Sequence, residues 1–143
     1  MDTQSAFCTF RVEDMHFGIE VLRIQEVIRE QQMTRVPCAS PVVRGLMNLR
    51  GQIVTALDFR RRIGLHERTT QKPLMNVVVR THSGPVSLLV DEIGDVLQIN
   101  SDRFEPPPET LRGVPRSLIR GVYKLDQRLL LVLDLEPVLN LSA

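Results

Sequence analysis

The sequence predicts a mainly β fold in which two small barrels of about five strands each pack together in one domain with a few short helices. Three observations predict it: an internal repeat, short runs with strand-like composition, and turn dipeptides between those runs.

The repeat is found by sliding the chain against itself. Val43 to Leu49 lies over Ile119 to Leu125, Leu57-Asp58-Phe59 over Leu133-Asp134-Leu135, and Ile63 and Leu65 over Leu139 and Leu141. At a slightly different offset Ile19, Val21, Ile24, Glu26, Val27 and Ile28 fall on Leu88, Val90, Ile93, Asp95, Val96 and Leu97, and Pro37 then meets Pro106. Two copies of a unit of about 70 residues follow, too few for an extended solenoid. The expected partition is a first barrel half over residues 1–66, a polar connector over 67–73 and a second barrel half over 74–143.

The elements follow from composition in order. Phe7 to Val12, Met75 to Arg80 and Arg128 to Leu133 are short runs rich in Val, Leu, Phe and Thr, as strands are. Val21 to Gln31 places Val21, Ile24, Val27 and Ile28 on one side, which predicts a strand followed by a short helix. Arg50-Gly51, Ser83-Gly84 and Asp126-Gln127 each divide two apolar runs and read as hairpin turns. Asp58 and Asp134 each precede a short segment with helical spacing and read as N-caps; the first segment ends at Gly64, and Pro137 sits in the first turn of the second. Pro106-Pro107-Pro108 with Pro115 marks a stiff, irregular connection. Closure into barrels removes the exposed edges that open sheets of such short strands would leave.

At 143 residues the chain can bury a core without metals or disulfides. Eighteen basic against 17 acidic residues give a formal charge of +1, so nothing in the overall field directs the chain to nucleic acid or an anionic membrane. Lys72 and Lys124 are the only lysines; the remaining basic residues are arginines, whose planar forks suit carboxylates on protein surfaces. Cys8 and Cys38 lack metal or redox spacing and are expected to be two buried thiols in a reducing compartment. Met1 is followed by polar residues, and Leu129 to Leu133 is too short to span a bilayer, so the expected location is the cytoplasm with no direct membrane insertion.

Local signatures of catalysis and of phosphate, nucleotide or zinc binding are missing, so no catalytic residue, cofactor or metal is expected. His16, His66 and His82 are scattered and read as partly exposed bystanders. Asp91-Glu92 suggests an acid–base pair, but neighbours on a strand point to opposite faces, and solvation at a strand end is the expectation. Arg60-Arg61-Arg62 reads as a solvated helix face; the competing reading is a nucleic-acid-binding double β-barrel that uses this run.

Three segments together resemble the CheW family of chemotaxis scaffold proteins. They are Phe17-Gly18-Ile19 running into Ile24-Gln25-Glu26-Val27-Ile28, then Thr34-Arg35-Val36-Pro37, and Arg44-Gly45-Leu46-Met47-Asn48-Leu49-Arg50-Gly51-Gln52-Ile53-Val54. Leu89 to Leu97, the prolines at 106 to 108 and the closing Ile119-Arg120-Gly121 and Leu133-Asp134-Leu135 extend the resemblance over nearly the whole chain. It implies two SH3-like five-stranded barrels in a single domain over 1–143. It further implies a non-enzymatic adaptor between the cytoplasmic tips of methyl-accepting chemoreceptors and the regulatory domain of a CheA-type histidine kinase. Such an adaptor is recruited from the cytoplasm to membrane-associated arrays and is a monomer outside them, without nucleic acid as a partner. By the same resemblance Glu26 and Arg50 lie near the receptor surface with Ile24 and Val27 as apolar neighbours, and Gly45, Asn48 and Leu49 complete the expected docking residues. Glu26 and Arg50 are expected to approach one another or a shared partner. Both ends are short beside many members, so a C-terminal helix is expected to be brief.

Overall fold

Among the described residues, 4–66 and 72–141 of the computed structural model, ten strands pair into two five-stranded sheets. The first sequence copy supplies β1 (Gln4–Val12), β2 (Met15–Glu20), β3 (Ile24–Arg29), β4 (Val43–Leu49) and β5 (Gln52–Asp58), followed by the short helix α1 (Phe59–Arg62). The second supplies β6 (Met75–Thr81), β7 (Gly84–Val90), β8 (Glu92–Asn100), β9 (Ile119–Leu125) and β10 (Arg128–Leu133), followed by α2 (Leu135–Leu139). The repeat aligns strand with strand, and β4 and β9 have the same bounds as the matched segments. Asp58 and Asp134 are N-caps, but only the Asp58 carboxylate accepts a hydrogen bond at its cap, from the Arg61 N–H.

The barrels are not the two sequence halves. One unit holds the strand order β8-β1-β2-β10-β9 and the other β3-β6-β7-β5-β4, so the chain leaves the first unit after Val21 and returns to it at Glu92. The partition at 66 and 74 is therefore corrected, and of the expected connector, residues 67–71 lie outside the described residues. Each copy donates its first hairpin to the barrel built on the other copy's last hairpin, through parallel β2–β10 and β5–β7 pairings. The physical reason is that an amphipathic hairpin fixes which face it buries. It does not fix which of two homologous hairpins lies beside it.

A second correction concerns residues 21–31. A 3-10 turn (Val21–Arg23) comes first and the strand β3 second, with no helix after it. A register shift between Ile24 and Glu26 breaks the two-residue alternation along β6, and a bulge of this kind leaves apolar residues at 24, 27 and 28, which mimics helical spacing.

Each unit has its own core. In the first, Phe7, Ile99, Tyr123, Leu130 and Val132 are buried together, and the Phe7 and Tyr123 rings lie 5.5 Å apart in a tilted arrangement. In the second, Met47, Val54 and Val78 form a buried cluster flanked by Ile28, Met33 and Leu49. Buried polar groups there are satisfied: the Ser87 hydroxyl donates to the Asn76 side-chain carbonyl (2.7 Å), and the Asn76 amide donates to the Arg29 carbonyl (3.1 Å).

Arg60 and Asp91 also differ from expectation. Arg60 is buried rather than part of a solvated face, and its guanidinium grips the Asp91 carboxylate through Nε (3.1 Å) and Nη2 (2.8 Å). The two side chains are 10% and 13% exposed, so the pair is a desolvated, bidentate clasp between α1 and the end of β7. Glu92, beside it, pairs instead with Arg11 at 2.6 Å on the surface of the first unit.

Closure of both barrels uses the same device. The segment after β3 returns to β4 through paired hydrogen bonds between Thr34 and Leu46, both 2.8 Å, and the segment after β8 returns to β9 through Glu105 and Val122, at 2.9 and 2.8 Å. The residue before each bridge is a glycine. A Cβ on Gly45 would stand 2.8 Å from the Thr34 carbonyl oxygen, and one on Gly121 would enter the Phe104 ring. Gly45→Ala is therefore expected to lower unfolding free energy by about 1–3 kcal/mol, the usual cost of overpacking. Urea denaturation followed by circular dichroism measures it; an unchanged midpoint would mean that the closing segment is free to move aside.

Candidate functional site

The hairpin β4–β5 turns at Arg50 and Gly51, whose φ angles are 52° and 86°. Two consecutive positive values are what a two-residue turn matched to strand twist requires. Glycine adopts them freely, whereas arginine does so at a cost, so Arg50 sits where shape alone would favour Asn or Gly. Asn48 supports the turn, its side-chain oxygen accepting from the Gly51 N–H at 2.8 Å.

The strained position points the Arg50 side chain across to β3. Its Nη2 donates to the Glu26 carboxylate in an ion pair, and the Gln25 amide donates to the same oxygen at 3.3 Å. Glu26 is held on β3, whose start is fixed by Arg80: that guanidinium donates to the carbonyls of Leu22 (3.0 Å) and Ile24 (2.7 Å). The carboxylate is the more sheltered partner, with 19% of its side chain exposed against 69% for Arg50. The Arg50 hydrogen bond holds the Glu26 carboxyl below its ordinary pKa, partial burial opposes that, and the Gln25 bond and the Arg50 charge add to the lowering. Arg50 is raised in turn by the same bond and charge.

Of the seven residues expected to dock, the structure brings Glu26 and Arg50 into contact at the tip of one hairpin. Asn48 buttresses that tip, and Leu49 flanks the core. Ile24 and Val27 are half-buried on β3 and pair with Val79 and Val77. Gly45 is buried beneath Thr34 and offers no side chain to a partner.

Exposed apolar side chains were not anticipated. Ile53, two residues beyond the turn, is 61% exposed, and Leu22 is 86% exposed. The signal for Ile53 is present in the sequence: with Val54 and Ala56 facing the core, strand alternation turns Ile53 outward. Leu22 lies in the 3-10 turn, where no strand period applies.

The expectation of two buried thiols holds only for Cys8; Cys38 is exposed, on a loop with φ 62°. Its place between Pro37 and the Ala39–Pro41 stretch is a surface crossing, which the apolar character of a thiol does not disclose. Among the described residues no group of three or more His, Cys, Asp or Glu is arranged to hold a metal ion, and no helix is long and apolar enough to cross a membrane.

Comparison with known proteins gives one consistent result. A family model described as a CheW-like domain matches residues 6–143. A chemotaxis protein CheW of Rhizobium meliloti is 30% identical over 129 residues, spanning 90% of this chain and 83% of that protein. One from Treponema pallidum is 24% identical over 143 residues, 97% of this chain and 84% of that protein. Among solved structures, the scaffolding protein TtCheW from Thermoanaerobacter tengcongensis shares the fold, with a TM-score of 0.88 and 22% identity over 99% of this chain and 92% of that one.

The depressed Glu26 pKa fixes the sign of a pH effect. The pair's contribution to stability is fully present above the pKa Glu26 has in the unfolded chain and is lost as pH falls through its lower folded value. A carboxyl-carbon NMR titration is expected to place the Glu26 midpoint below the ordinary glutamate value, and Arg50→Ala is expected to move it up. A midpoint indifferent to that substitution would show that the ion pair is not maintained in solution.

Proposed function

The chain belongs to the CheW-like domain family, and from that premise we propose that it is a non-enzymatic adaptor that couples methyl-accepting chemoreceptors to a CheA-type histidine kinase in a chemosensory array. The observation that carries the reading is the Glu26–Arg50 pair, exposed at a hairpin tip within the stretch Asn48-Leu49-Arg50-Gly51 through which the chain resembles the family. A strained arginine whose charge meets an exposed partner contributes little to folding, since exposed pairs are screened by water and salt. Its value is in orientation and selectivity: a planar fork already held by Glu26 presents its remaining donors in a fixed direction.

Ile53 and Leu22 supply exposed apolar area on the same unit. Apolar contacts provide affinity while the charge pair discriminates between partners. An adaptor needs no single tight contact. A specific interface buries about 800 Å² per partner, and two modest interfaces on one body reinforce each other through effective concentration.

The competing nucleic-acid reading is weakened by the basic run itself, because Arg60 is buried and its guanidinium is committed to Asp91. A salt-dependent phosphate track needs solvated cations.

The test is a reconstituted mixture of receptor cytoplasmic fragments, a CheA-type kinase and this protein. The chain is expected to retain both partners in one pull-down and to place kinase output under receptor control. Arg50→Ala is expected to leave the circular dichroism spectrum and the urea midpoint close to those of the parent, while receptor control falls to the level seen without the adaptor. Normal control by the variant would remove Arg50 from the docking role, and failure of the parent chain to retain either partner would end the adaptor reading.

A further inference from the structure

The second unit carries a cavity of 960 Å³ on the loop between β3 and β4, and neither Glu26 nor Arg50 lines it. Its volume is at the upper end of the range for ligand clefts, about 300–1,000 Å³. Three arginines reach it from three elements: Arg35 from the loop, Arg44 from β4 and Arg61 from α1. Two carboxylates also line it, and both are already engaged. Glu30 accepts from the Leu74 N–H at 2.9 Å, and Asp58 caps α1 and lies 3.8 Å from the Arg61 guanidinium. Arg35 and Arg44 form no hydrogen bond or ion pair with any described residue.

The rest of the lining is mixed: Gln31 and Ser40 are polar, and the remainder is apolar. Met33, Val36 and Val43 contribute aliphatic surface, and Pro37 and Pro41 bracket the loop. Cys38, between them, is held at φ 62°, a conformation that costs a non-glycine residue about 1–3 kcal/mol and persists where the surrounding loop over-determines it. Two guanidinium forks with no partner among the described residues, beside aliphatic side chains, suit carboxylates carried on a chain with apolar side chains of its own. A bare phosphate would use the forks and leave the walls unmatched.

We propose that this cavity is a docking site for a short, extended acidic peptide segment of a partner protein, with carboxylates on Arg35 and Arg44 and an aliphatic side chain against Met33, Val36 and Val43. The site is separate from the Glu26–Arg50 tip and does not depend on how that tip is used.

Calorimetric titration of the full chain tests it without receptor or kinase. The probe is N-acetyl-Glu-Leu-Asp-Glu-amide, with its Gln/Asn analogue and inorganic pyrophosphate as comparisons. Saturable one-to-one binding of the acidic peptide is expected, weakened by salt and absent for the neutral analogue. The double variant Arg35→Gln/Arg44→Gln is expected to bind about tenfold or more weakly, since charge-assisted hydrogen bonds carry the contact, with an unchanged urea midpoint. Amide NMR shifts on titration are expected to cluster at residues 33–44. The proposal is overturned by heats that do not saturate up to millimolar peptide, by equal binding of the neutral analogue, or by unchanged affinity in the folded double variant. Tighter binding of pyrophosphate than of the peptide would overturn it as well, by making this a phosphoryl site.

Discussion

Both barrels depend on a strand that passes over a glycine. A five-stranded sheet of such short strands stays open, with two unpaired edges, unless the chain folds back to bridge them. Here the bridge is a single pair of residues in each unit, Thr34 with Leu46 and Glu105 with Val122, and the closing segment approaches so near that the residue beside the bridge has room only for hydrogen: Gly45 in one unit, Gly121 in the other. The rest of each barrel follows from closure. Met47, on the same face as Gly45, becomes fully enclosed, and Tyr123 is covered by the Phe104 ring at 5.3 Å. The glycine repeated within β4 and β9 is therefore a steric requirement of the fold.

Much of the fold was legible in the sequence because the repeat and the turns are local. The glycine-bearing strands, the Arg50-Gly51 turn and the two aspartate caps are each specified within a few residues. Three things were not. The exchange of hairpins between copies was hidden because homologous hairpins carry the same pattern, and the parallel β2–β10 and β5–β7 contacts join segments more than a hundred and about thirty residues apart. The strand β3 was masked by its bulge. The Arg60–Asp91 clasp was hidden because both residues look like surface charges in isolation, and only the fold brings α1 over the end of β7. At the candidate site the Glu26–Arg50 approach was anticipated from the resemblance to the family, whereas the exposed Leu22 had no periodicity to announce it.

The differences between the copies are more informative about function than their likeness. Arg60 and Asp91 of the second unit correspond by the repeat to Glu136 and Leu22, so the buried clasp exists once. Glu26 and Arg50 correspond to Asp95 and Asp126, so the first unit has two carboxylates where the second has an ion pair. Closure over a glycine is kept in both units because the fold needs it twice. The charged features, which each barrel folds without, have been free to diverge.

That divergence bears on how one duplicated fold could serve two partners. Ile53 and Leu129 are equivalent and both exposed, 61% and 38%, so each unit keeps an exposed apolar side chain at the same place in its last hairpin. Non-directional apolar area of that kind cannot tell one partner from another. The charge beside it can: a surface carboxylate that suits Arg50 meets like charge at Asp126, and such opposition is a common source of discrimination between otherwise similar surfaces. The exposed apolar position is repeated in both units, and the charge at the turn beside it differs between them. A strained arginine at the tip of β4–β5 is the local cost of that difference, and the rigid turn held by Asn48 keeps its direction fixed.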